Sequence, residues 1–191
     1  MTIPTSELQA IAPGAVIELF TLSLNSTLHG DSTIYRFHNG ANLNANGEVV
    51  WAGNSYLRFP IECTGFEFGS TGTLPRPTIT ISNIFGTITT ILQDVNTTTV
   101  GNDLNGATLT RIRTLAKFLD AVNFTGSTNP FGTPDPTAEF PQEIYILDRK
   151  VTENRSVVTW EAQSALDVVN VKLPKRIATK DIFPGIGAFL G

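Results

Sequence analysis

The sequence predicts a single, mainly β domain with one or two short helices, built as a barrel or in sandwich-like layers. Three observations carry this. The 191 residues suffice to bury one core, which makes one domain the expectation. The chain holds 26 Thr and 14 Asn beside 16 Gly and 11 Pro, a mixture that favours strands joined by turns over long helices. Short apolar runs, several alternating with polar residues, recur between turn signals, and only one stretch has a convincing helical period. Residues 1–174 are assigned to the β-rich domain and 175–191 to an apolar C-terminal tail.

The elements follow in order. Ser6 with Gln9 three residues on resembles a capping box, and Pro13-Gly14 stops the short helix it opens. Residues 16–24 and 33–37 read as strands. Residues 39–47 are turn-forming, and 48–51 and 56–59 make a hairpin across Ala52-Gly53-Asn54-Ser55. The β pattern continues over 61–68. Residues 73–82 become a regular strand only after Pro77, so its beginning is expected at a sheet edge. Ile84, Phe85, Ile88, Ile91, Leu92 and Val95 then recur at helical spacing behind Ser82-Asn83, either of which can cap, giving a helix near 83–95. Its threonines lower its intrinsic propensity, so packing must hold it. Residues 108–119 read as a long strand. Residues 126–141, with four prolines, form an ordered excursion or a mobile loop. A second hairpin joins 143–151 to 156–162.

Composition excludes several functions. Charged residues are only 16% of the chain against about a quarter in ordinary domains, so the surface is poorly protected against association. The net charge of -4 argues against a nucleic-acid binder, which needs clustered Lys and Arg. Cys63 is the only cysteine, so neither a disulfide framework nor a multi-cysteine metal site can form within the chain. No signal peptide and no run of about 20 apolar residues is present, which predicts a soluble protein made in the cytoplasm.

Catalytic constellations are equally thin. A Cys63-His38 pair is formally possible for nucleophilic chemistry, but no catalytic signature surrounds Cys63, which reads as a small buried hydrophobe. His29 and His38 lack metal-ligand spacing and are expected at the surface, His38 in a turn. No phosphate-cradling glycine motif appears. The basic cluster Arg111, Arg113 and Lys117 has odd spacing that places all three on one face of the expected strand, as a solvated face or as contacts with an acidic neighbouring subunit. The tail with Phe183 and Phe189 is apolar and glycine-rich, and either folds back or docks in a neighbour. No catalytic, cofactor or metal residue is assigned.

The sequence resembles the minor tail protein L, or tail tip, family of lambda-like long-tailed bacteriophages. The resemblance runs from about Ala15 to Pro174. It rests on Arg76-Pro-Thr-Ile-Thr-Ile-Ser-Asn83, Gly86 and the helix, and Arg111 onward into Lys117-Phe-Leu-Asp-Ala-Val-Asn-Phe124. Gly47-Glu-Val-Val-Trp51, Gly53, Tyr56, Pro60-Ile61, Gly65-Phe-Glu67 and Asp135-Pro136 extend it. It implies a virion structural subunit at the distal tail, a hub of tail assembly and not an enzyme. It also implies a trimeric ring between tail tube or distal tail proteins and the central tip fibre protein, near the tape measure protein. It further implies a C-terminal extension whose cysteines ligate an iron-sulfur cluster. This chain departs there, having no cysteine after Cys63, so the expectation is a cluster-less chain, by domain loss or truncation. The rival expectations are a host-surface carbohydrate reader, with Trp51, Tyr56 and Trp160 as a platform, and a cell-wall hydrolase using Cys63.

Overall fold

A computed structural model describes residues 3–11, 14–40, 47–67, 74–84, 86–167 and 185. Nine strands form one sheet in the order β3-β4-β2-β1-β7-β8-β9-β6-β5. They are β1 (Val16–Ser23), β2 (Ile34–His38), β3 (Glu48–Trp51), β4 (Asn54–Arg58), β5 (Ile61–Thr64), β6 (Thr78–Ser82), β7 (Thr108–Leu115), β8 (Glu143–Glu153) and β9 (Val157–Gln163). Three α-helices accompany them: α1 (Thr5–Leu8), α2 (Ser26–His29) and α3 (Thr87–Thr98). All strand pairs are antiparallel except β2 with β4.

The fold is mainly β, as expected, but the barrel is not met: the ladder ends at β3 and β5 and does not close. It is strongly curled nonetheless. β4 and β5 stand seven places apart in the sheet, about 34 Å if it were flat, yet only Phe59 and Pro60 join them, a link of about 11 Å at most. The sheet must therefore turn back on itself, with sandwich-like packing of its two halves.

That packing switches faces halfway along the central strands. Leu19 lies between His38 and Ile112 on one face, while Phe20 lies between Phe37 and Arg111 on the other. Ile17, Leu19 and Ile112 join Val49, Trp51, Tyr56 and Leu119 in one core. Phe20, Leu22 and Leu109 join Ile88, Leu92, Val95, Tyr145 and Trp160 in the larger core. Successive strand side chains point to opposite faces, so burying Leu19 and Phe20 together requires cover on both sides. The β3–β4 hairpin supplies it below and α3 above.

Local differences from expectation have local causes. α3 starts at Thr87, not near 83, because Gly86 at φ 71° breaks the backbone as its N-cap. The capping is still done by Asn83, from outside: its Oδ1 accepts from the Thr89 amide (3.3 Å), while its Nδ2 donates to Thr89 Oγ1 and the Asn154 carbonyl. α2 has no periodic signal long enough to find, although Asn25 caps it by accepting from the Thr27 amide. β7 stops at Leu115, where 310 turns begin. β6 lies between β5 and β9, so the strand after Pro77 is interior; Pro77 precedes the first paired residue and its carbonyl accepts from the Ala162 amide. Residues 126–141 are an ordered excursion, tied by Phe140 N–H to the Arg113 carbonyl and by Asn129 Nδ2 to the carbonyls of Lys117 and Leu119. Helix stop Pro13 and strand residue Phe68 lie outside the described residues.

Candidate functional site

The basic cluster lies where one sheet face stops being core. Arg111 and Arg113 share the Phe20 face; Arg111 stands directly beside Phe20 and Arg113 lies beyond it, beside Glu18, where the packing has passed to the opposite face. Arg111 donates to Glu143 Oε2 (2.9 Å) and to Glu18, and its guanidinium lies 4.4 Å from the Phe66 ring centroid. Arg113 donates to Glu143 Oε1 (2.9 Å). Burial would ease the proton off Arg111, but the hydrogen bonds it donates to Glu18 and Glu143 outweigh it and hold it more basic than usual. Lys117 is not on that face. The strand has ended, and Lys117 pairs with Glu7 of α1, whose carboxyl this hydrogen bond holds below the usual range. Three cations thus meet Glu7, Glu18 and Glu143, and the cluster stitches α1, β1, β7 and β8 together. Phe183 and Phe189 lie outside the described residues.

The two sheet ends offer backbone groups instead, and they are treated differently. At β3 the outward N–H of Val50 donates to Asn123 Oδ1 (2.7 Å), and Asn123 Nδ2 donates to the Val50 carbonyl (2.6 Å). The carboxamide thereby replaces a neighbouring strand. Asn123 is itself 1% exposed and its Nδ2 also donates to the Asp120 carbonyl, while Asp120 Oδ2 accepts from the Gly53 amide (2.8 Å) at the hairpin turn. The Ala52-Gly53 turn, with φ 52° and 74°, is the left-handed pair that a two-residue hairpin requires. At β5 no described group covers the edge. The Pro60 carbonyl accepts from the Ser82 amide, which fixes the alternation: residues 60, 62 and 64 face β6, and the N–H and C=O of Ile61 and Cys63 point outward. A cavity of about 260 Å³ lined by Asn39, Ile61, Glu62, Thr80 and Ser82 adjoins this edge.

The residues considered for chemistry are placed otherwise. His29 and His38 are both buried, at 2% and 0% exposure, correcting the surface expectation. His29 Nδ1 accepts from the Asn25 amide and its Nε2 donates to the Asn105 carbonyl; His38 Nε2 donates to the Gly47 carbonyl. Burial lowers the His38 pKa, so it stays neutral at pH 7. Neither ring bonds Cys63, whose thiol burial pushes up to about 12, the reverse of an activated nucleophile. Among the described residues no group of three or more His, Cys, Asp or Glu converges as for a metal. One copy of the chain cannot supply a four-thiolate iron-sulfur site, because Cys63 is its only thiol. Trp51, Tyr56 and Trp160 are 5%, 3% and 1% exposed, so none offers a face to a sugar. No helix among the described residues is long and apolar enough to cross a membrane.

The sequence reasoning missed Asn123 as a site. Its only signal was membership of the block 117–124. The described residues thus define a β scaffold whose distinctive features are edges and ion-paired seams between elements. The family model for phage minor tail protein L matches residues 27–185, and the chain belongs to that family of phage tail structural proteins. It is 40% identical over 93 residues to tail tip protein L of Escherichia phage lambda, an alignment covering 48% of this chain and 37% of that protein. The match thus reaches little more than a third of that relative's length.

Proposed function

We propose that the chain is a structural subunit of the phage tail tip, a homo-oligomer forming a ring-like connection between tail tube or distal tail proteins and the central tip protein, close to the tape measure protein. It acts in assembly within the host cytoplasm, as a hub and without catalysis. The observation that carries this reading is the 40% identity to lambda tail tip protein L, together with a scaffold in which Trp51, Tyr56 and Trp160 are buried and the Cys63 thiol is pushed up to about 12. A trimer is the proposed stoichiometry. Of the basic residues, Arg113 is best placed to reach a neighbour, its side chain being 34% exposed against 15% for Arg111 and 29% for Lys117. Phe183 and Phe189 complete the proposed contacts on the strength of the apolar tail sequence alone.

Deleting the gene tests the reading. Heads without tails support an assembly subunit, whereas complete particles that fail to adsorb support a receptor reader. Cys63→Ser should leave tail formation unchanged; particles that form but lose wall-degrading activity in that variant would revive the hydrolase.

A further inference from the structure

We infer that Asn39-Gly40 is a self-modifying site, at which the Asn39 carboxamide is converted to a carboxylate with His38 Nδ1 as the base. The sequence holds Asn-Gly at 39–40, 46–47 and 105–106. A glycine after asparagine leaves its own amide nitrogen unshielded, and that nitrogen is the nucleophile. Asn46 lies outside the described residues, so the comparison is between the other two.

The two differ in exposure and in what holds the glycine amide. Asn39 is exposed, one residue beyond the end of β2, and among the described residues nothing accepts from the Gly40 amide. Asn105 is half-buried and its neighbour is occupied: the Gly106 amide donates to the Leu147 carbonyl (2.8 Å), while the Asn105 carbonyl accepts from His29 Nε2 and Asn102 Nδ2.

Asn39-Gly40 also has a base beside it. His38 Nε2 donates to the Gly47 carbonyl, which leaves the lone pair on Nδ1, and no described donor reaches that atom. A Cβ placed on Gly40 would lie 3.8 Å from it. The ring is flanked by apolar Leu19 on β1 and by Arg58 on β4. Burial lowers its pKa and the Arg58 cation adds to this, so the base is free at pH 7.

In the first step His38 Nδ1 takes the Gly40 amide proton as that nitrogen bonds to Asn39 Cγ. The bond from Cγ to Nδ2 then breaks, and the leaving nitrogen takes the proton back from the imidazolium and departs as ammonia. The base is regenerated and a five-membered succinimide remains. Solvent water then opens one of its two carbonyls, giving aspartate or isoaspartate at position 39. Asn39 and Glu62 both line the 260 Å³ cavity, so its wall becomes doubly acidic beside β5.

The full chain, kept near neutral pH and followed by site-resolved peptide mass spectrometry with an isoaspartate assay, tests this. In the folded protein the modification should accumulate at Asn39 while Asn105 stays an amide; in urea, where neither glycine amide is held, the two should react alike. Equal rates in the folded protein, or an unmodified Asn39, overturn the inference. His38→Gln keeps a donor toward Gly47 and lacks the base, so it should slow the reaction of the folded chain about tenfold or more and change that in urea little. Gly40→Ala, whose added Cβ meets only ordinary contact, should slow it as well. A further readout needs no variant: with its base already free, the folded chain should react at nearly the same rate at about pH 7 and pH 8, whereas attack driven by hydroxide alone rises about tenfold. That tenfold rise, or an unslowed variant of either kind, overturns the inference too.

Discussion

The two ends of the sheet carry the same liability and meet it in opposite ways. β3 and β5 are both four-residue edge strands with backbone groups turned outward. β3 is sealed by one carboxamide, which donates to and accepts from Val50 while being buried itself. Among the described residues nothing covers the outer ladder of β5, and Glu62 beside it has no partner. Unpaired edges recruit other chains, and only one of the two ends is closed by a side chain among the described residues. The difference teaches that a single side chain can decide whether a sheet edge is closed.

The largest test removes that side chain. Asn123→Ala strips both partners from Val50 and should cost about 2–4 kcal/mol of stability by denaturant unfolding, because buried groups are left unsatisfied. It should also make the protein aggregate with rising concentration, seen by light scattering. Asp120→Ala leaves the seal and frees only the Gly53 amide, with an expected loss of about 1 kcal/mol in the same unfolding experiment. At the other edge, Glu62→Ala should change stability by no more than about 0.5 kcal/mol, since Glu62 is exposed and has no partner among the described residues. If Glu62→Ala destabilises as much as Asn123→Ala, the two edges do not differ as described.

Acid sharpens the contrast by a smaller effect. Burial alone would raise the Asp103 carboxyl, but Asn96 and Lys150 outweigh it and leave it below its ordinary 3.8. A carboxyl depressed by folding contributes stability above that ordinary value and loses it as pH falls through the depressed one. Below about pH 4 the hold of Asp103 on Lys150 and Asn96 should therefore weaken. The Asn123 seal does not titrate. Hydrogen exchange should show the amides of the loop around Asp103 opening first in acid while that of Val50 stays protected.

Much of this architecture was legible because strands announce themselves by alternation. β1, β2, β6 after its proline and the β8–β9 hairpin stand where the pattern puts them to within a residue or two, while the first hairpin turns over Ala52-Gly53 alone, with Asn54 and Ser55 already in β4 instead of in a four-residue loop. The helix was legible as an apolar stripe, and Asn83 as its capping residue, though not the break at Gly86. Sheet order was not legible, since nothing local says that β4 and β5, joined by two residues, stand seven places apart in the sheet. Nor was the fate of the basic cluster: odd spacing is a strand argument, and it lapsed at Leu115, two residues before Lys117. His29 and His38 read as surface residues because their satisfying partners, the carbonyls of Asn105 and Gly47, are contributed by loops that sequence alone does not bring near. The Asn123 seal escaped for the same reason, lying 73 positions from Val50.

The pairing of β1 with β7 also sets a schedule. Glu18 and Arg111 meet across 93 positions, so the first strand has no central partner until more than half of the chain has left the ribosome. At about 5–20 residues per second this is a wait of several seconds, during which β1 and the β2–β4 segment have only each other. Folding of this subunit is therefore slow by construction. A copy in that interval already has the β3–β4 hairpin and α3, the covers of Leu19 and Phe20, but lacks β7, the strand that lies beside both.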